Sequence, residues 1–136
     1  MTNPTNLTWT DDLATGVPVL DREHVALVAL FQRLADPAQA GDDAAVRALL
    51  DALLADVCRH FDDEERLMHE SRYPDTAAYV TAHHLLLKQI NSFLALLDGQ
   101  PEGWVAANIV DFVGRWLIDH IREDDGRFGA YLRHQV

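Results

Sequence analysis

The chain has one cysteine, Cys58, in 136 residues. A lone thiol closes no intrachain disulfide, so the fold must stand on its own core, and the expected setting is a reducing compartment, the cytoplasm. Basic residues are scarce as well: 11 Lys and Arg face 22 Asp and Glu, for a formal net charge of −11. Phosphate-rich surfaces would repel such a chain, which argues against nucleic acid and anionic membranes as partners. No run is apolar enough over sufficient length to span a bilayer, and "MTNPTNLTWT" lacks the basic start and apolar stretch of a secretory signal. No stretch alternates polar with apolar residues convincingly enough for a strand, and there is no repeat or low-complexity tract.

What is present is helical periodicity. At 49% hydrophobic residues the chain has the composition of a folded domain, and 136 residues suffice for one core, so 1–136 reads as a single domain. After an irregular arm (1–18), Leu20, His24, Leu27, Phe31 and Leu34 recur at three- and four-residue steps and predict a helix over 19–35. "DPAQAGDD" ends it and offers an Asp N-cap to the next helix, over 43–70. That helix carries Val46, Leu50, Leu53, Val57, His60 or Phe61, Glu64 and Leu67 or Met68 on one stripe. A turn at "SRYPDT" precedes a third stripe of Tyr79, His83, Leu86, Ile90, Phe93 and Leu97. Beyond the break "DGQPEG", Ile109, Phe112 or Val113, Trp116 and His120 form the fourth, with a short helical tail through Phe128 and Tyr131. Four helices on short turns must pack as antiparallel neighbours, which predicts an all-α, up-down-up-down four-helix bundle.

Each stripe carries ionisable residues in apolar company: His24 in "LDREHVALVALF", His60 and Glu64 in "VCRHFDDEERLM", His83 in "YVTAHHLLL", His120 in "RWLIDHIRE". A single histidine on an apolar face is usually a satisfied core or boundary residue, and Glu64 alone would pass for one solvated acid among many. The set changes the reading. Buried polar groups left unpaired cost about 1–3 kcal/mol each, and half a dozen would consume a domain stability of about 5–15 kcal/mol. Inward-facing histidines from four helices need a common partner, and mixed imidazole and carboxylate donors suit iron or another first-row metal. His60 and Glu64, four apart, share a helix face. Asp125 follows His120 by five residues, about 140° away on a regular α-helix. It reaches the same ion only if the helix ends, bends or takes a π-type turn, and periodicity does not choose between it, Asp124 and Glu123. His84 points about 100° from His83 and suits a helix–helix boundary; His134 suits the solvated tail.

With these residues in view, the sequence resembles the hemerythrins, in particular the single-domain bacteriohemerythrins. The resemblance runs from "LTWTDDLATGVPVLDREHVAL", like the family's Trp, Gly-Val and Asp-x-x-His opening, through "HFDDEERLM", like its His-Phe-x-x-Glu-Glu segment. It continues with "YP" before the third helix and "WLIDHIREDD", like the family's Trp-Leu-x-x-His-x-x-x-x-Asp ending. It implies two non-haem iron ions, Fe2+ or Fe3+, with an oxo or hydroxo bridge, and reversible binding of O2 as the ligand. It also implies that His24 and His60 hold the iron that binds O2, that His83 and His120 hold the second, and that Glu64 and Asp125 bridge. Leu27, Phe61, Trp116, Leu117 and Ile121 are implied to line an apolar O2 pocket, and a monomer or weak homo-oligomer is expected.

One position departs from the pattern. The family's third helix carries His-x-x-x-His; counted from the "YP" turn, the first of that pair falls on Tyr79 and the second on His83. Tyr79 is expected among the metal ligands as a phenolate, with a neutral hydrogen-bonded phenol and plain packing as the competing readings. The expected function is O2 carriage, storage or sensing. Redox turnover of peroxide, O2, NO or ferrous iron at the same centre, or metal handling with a different metal content, stand as alternatives.

Overall fold

The computed structural model describes residues 9–36, 42–95, 99, 101 and 103–134. Leu97 and the side chain of Ile109, assigned above to apolar stripes, lie outside the described residues. Helix α1 spans Pro18–Ala35, α2 Asp43–Glu70, α3 Thr76–Ala95 and α4 Trp104–Asp119; a π-helical turn, His120–Asp125, leads into α5, Gly126–Arg133. These four long helices form the expected bundle, with α1 packed on α2 and α4, and α2 on α3. Phe93 and Phe112, with ring centroids 5.2 Å apart, join α3 to α4.

Local chemistry explains the ends of the elements. Pro18 starts α1, where its missing N–H is no loss. The Asp42 carboxylate accepts from Ala45 N at 3.0 Å and caps α2. At the other end of α2, Tyr73 N donates to Met68 O and Arg72 N to His69 O, with Arg72 at φ +57°, the two bonds of a Schellman turn. Tyr73 and Met68 share a buried cluster, supplying the apolar contact that such turns carry.

Two cores divide the interior. The larger runs from Leu34, Val46, Leu50 and Leu53 through Val57, Leu86, Ile90 and Val113 to Leu27, Phe61, Leu117 and Ile121. The smaller groups Leu20, Met68, Tyr73, Tyr79 and Phe128 beneath the C-terminal helix. The described part of the arm, from residue 9, carries a short 3₁₀ turn, Asp11–Leu13, and is tied down at Thr15. Thr15 N and Oγ1 donate to the Asp21 carboxylate at 2.7 and 2.8 Å, and the Arg133 guanidinium donates to Thr15 O. Thr15 sits against Gly129, where an added Cβ would come within 2.8 Å of it. The arm thus closes the end of the bundle on which the polar stripes converge.

Candidate metal centre

Among the described residues, the buried polar ones are His24, His60, Glu64, His83, His120 and Asp125, each at most 2% exposed, together with Thr15 of the arm. α1 supplies His24, α2 supplies His60 and Glu64, α3 supplies His83, and the π-helical turn supplies His120 and Asp125. That turn answers what periodicity left open. Its i→i+5 bonding brings residues five apart onto one face, and His120 Nε2 lies 3.0 Å from Asp125 Oδ2.

The donor atoms converge. Single donor atoms of His24, His60, Glu64, His120 and Asp125 all lie within 4.8 Å of one another. Asp125 Oδ2 is 2.5 Å from His24 Nε2 and 3.3 Å from His60 Nε2. Glu64 faces two ways: Oε2 is 3.1 Å from His60 Nε2, whereas Oε1 is 3.2 Å from His83 Nε2 and 3.7 Å from His120 Nε2. Both Glu64 oxygens, Asp125 Oδ1, His83 Nε2 and His120 Nε2 are buried without a hydrogen-bond partner. They crowd together without hydrogen-bond alignment, as donors aimed at shared cations do. Unpaired, such atoms cost about 1–3 kcal/mol each; a cation among them removes the penalty. The donor set therefore fits first-row metal ions held by imidazole and carboxylate.

A second layer of acids fixes the rings. His60 Nδ1 donates to Glu23 at 3.0 Å and His83 Nδ1 to Glu65 at 3.1 Å, which turns each Nε2 inward. His120 Nδ1 faces Asp124 Oδ2 at 3.6 Å. Sequence reasoning missed Glu23 and Glu65 because each acid serves a histidine on a neighbouring helix, and took Asp124 only as a rival to Asp125. The four-residue spacing from His120 to Asp124 was the one available signal.

Electrostatics follow from this geometry. Burial opposes protonation of His60, but Asp125, Glu23 and Glu64 outweigh it and hold the imidazole well above its ordinary range. Burial likewise works against a charged His120, yet Asp125 and Asp124 push it up to about 10. Burial would raise Asp125, but His120, His24 and His60 hold the carboxyl well below the usual carboxylate range. Without metal, protons on His60 and His120 thus offset carboxylate charge.

Aromatic rings wall the centre. Phe61 stacks flat on His83, with centroids 3.7 Å apart and an interplanar angle of 2°, and Trp116 stacks on His120 at 4.7 Å and 13°. Leu27, Leu117 and Ile121 are buried in the larger core and Trp116 packs against it partly exposed. Trp116 and Leu117 also line an apolar crevice of about 10 Å³ with Leu53, Val57, Ile90 and Val113. His84 is exposed rather than at a helix boundary, and His134 is exposed as expected.

Tyr79 differs from the phenolate expectation. It is buried on the site-facing stripe, with its ring 6.3 Å from that of His83. Its hydroxyl, however, donates to the Asp124 carbonyl at 2.6 Å, and burial pushes the phenol above its ordinary range. A phenol that donates to a backbone carbonyl keeps its proton. The ring packs against Tyr73 at 5.7 Å, in the smaller core.

Residues 15–132 match the family model described as "Hemerythrin HHE cation binding domain". The chain belongs to the hemerythrin family. Among curated hemerythrin relatives, the bacteriohemerythrin of Methylococcus capsulatus (strain ATCC 33009 / NCIMB 11132 / Bath) is 31% identical over 127 residues, 93% of this chain and 96% of that one. The bacteriohemerythrin of Pseudomonas aeruginosa (strain UCBPP-PA14) is 29% identical over 131 residues, 96% of this chain and 84% of that one. The myohemerythrin of Riftia pachyptila is 30% identical over 129 residues, 95% and 96% of the two chains. A crystal structure of a hemerythrin point mutant matches with a TM-score of 0.80 at 27% identity, covering 93% of this chain and 97% of that one.

Proposed function

We propose that this hemerythrin-family chain holds a dinuclear non-haem iron centre and binds O2 reversibly there, for carriage, storage or sensing in the cytoplasm. The observation that carries the reading is the two-way carboxylate of Glu64, with Oε2 against His60 and Oε1 against His83 and His120. A carboxylate that turns one oxygen to His60 and the other to His83 and His120 suits two ions better than one. His24 and His60 would hold the first ion and His83 and His120 the second, with Glu64 and Asp125 shared. Iron supplies a redox-active ion to which O2 can bind by accepting electron density.

The remaining residues govern selectivity. Glu23 and Glu65 hold the His60 and His83 rings by their Nδ1 atoms, so that little reorganisation is needed when metal enters. Leu27, Phe61, Trp116, Leu117 and Ile121 form the apolar lining proposed for the O2 site. Such a lining keeps water out, and a dry cavity disfavours escape of a charged, reduced oxygen species. Tyr79, in this reading, stays a neutral phenol beside the centre and outside its ligand set. Anaerobic reduction of the iron-loaded protein followed by O2 titration tests the proposal. The visible spectrum should change on adding O2 and revert on its removal; irreversible oxidation with no reversible phase would refute it.

A further inference from the structure

We propose that the half of the centre held by His83 and His120 keeps a coordination position open for a small exogenous ligand, because Tyr79, one turn before His83, is committed to the Asp124 carbonyl. The inference rests on the dinuclear reading above and deepens it by assigning a second ligand position. Four protein groups converge on this half: His83 Nε2, His120 Nε2, Glu64 Oε1 and the Asp125 carboxylate. Of these, His83 Nε2, His120 Nε2 and Glu64 Oε1 have no hydrogen-bond partner and are buried. Non-haem iron with few protein donors keeps positions for water or small ligands.

Tyr79 is the neighbouring α3 side chain on the same stripe, and two interactions hold it away. Its hydroxyl donates to Asp124 O at 2.6 Å, and its ring packs on Tyr73. To become a ligand it would have to break that hydrogen bond and leave that packing. Asp124 lies in the π-helical turn that presents His120 and Asp125, so the same bond also ties α3 to the turn that positions these two donors. The two halves then match in protein donors: His24 and His60 on one side, His83 and His120 on the other, with both carboxylates shared. Phe61 lies flat on His83 and Trp116 on His120, so apolar rings flank this half, and the class of ligand it would take is a small one.

The test uses the full chain loaded with ferric iron, with azide as probe. Iron content is read first: fewer than two irons per chain would overturn the dinuclear reading itself, separately from the ligand question. With two irons present, azide titration followed by calorimetry and by the infrared azide stretch should give two azides per chain with distinct bands. Tyr79→His should reduce this to one, and Tyr79→Phe should leave it at two. One azide in the unaltered chain would overturn the proposal. So would a phenolate-to-iron charge-transfer band in its resonance Raman spectrum, a readout that needs no variant to fold.

Discussion

Removing the acid behind one histidine should weaken one metal and spare the other. Glu65 accepts from His83 Nδ1 at 3.1 Å, and Glu23 accepts from His60 Nδ1 at 3.0 Å on the opposite side of the centre. Loss of such an outer partner typically weakens metal affinity about 10–100-fold, equivalent to about 1.4–2.8 kcal/mol. The Glu65 and Glu23 side chains are 22% and 20% exposed, so water can partly replace either, which places the expected loss near the tenfold end. Glu65→Ala should therefore weaken one metal equivalent about tenfold, and Glu23→Ala the other. Glu65→Gln, which keeps an acceptor but loses the charge, should fall between Glu65→Ala and the unaltered chain. Competition against a chromophoric chelator, resolved into two binding steps, reads the effect. If either alanine variant weakened both equivalents alike, or neither, the assignment of one acid to each half would be refuted.

Other consequences concern the metal-free fold and its joints. His120 is raised from an ordinary 6.5 to about 10, so its protonated form contributes stability that is complete below 6.5 and lost as pH rises towards 10. Asp125 is depressed, so its contribution is present above the ordinary 3.8 and lost as pH falls below it. The urea midpoint of chelated protein should therefore fall between pH 6.5 and 10, and a rising midpoint would contradict the pairing. Gly129→Ala gains about 1 kcal/mol of helix propensity but drives a Cβ to 2.8 Å from the Thr15 backbone oxygen. Overpacking of about 1–3 kcal/mol should win and lower Tm by a few degrees in a calorimetric scan. Arg72→Gly relieves a left-handed conformation at φ +57° worth about 1–2 kcal/mol, less about 0.5–1 kcal/mol of added chain entropy. The net should be a modest rise in the denaturation midpoint.

The helices were legible because periodicity reports burial directly, and α2 spans the predicted 43–70. The polar cluster was legible because five ionisable residues on apolar stripes, His24, His60, Glu64, His83 and His120, cannot all be left unpaired. Asp125 was not separable from Asp124 by periodicity, since a regular helix puts it about 140° from His120. The π-helical turn, one of the local departures that a shared ion would require there, brings it round. Glu23 and Glu65 escaped notice because each is adjacent in sequence to one site residue while serving a histidine on another helix. The direction of the Tyr79 hydroxyl escaped as well, because its acceptor is a backbone carbonyl 45 residues away. Pairings between helices depend on packing, and packing is what a single sequence reports least.

The central claim is a pair of metal ions sharing Glu64 and Asp125. Anomalous diffraction at the iron edge, from crystals of the iron-loaded chain, tests it most directly. Two peaks per chain are predicted, one among His24 and His60 and the other among His83 and His120, each bonded to both carboxylates. A single peak, or two peaks that do not share Glu64 and Asp125, would contradict the account.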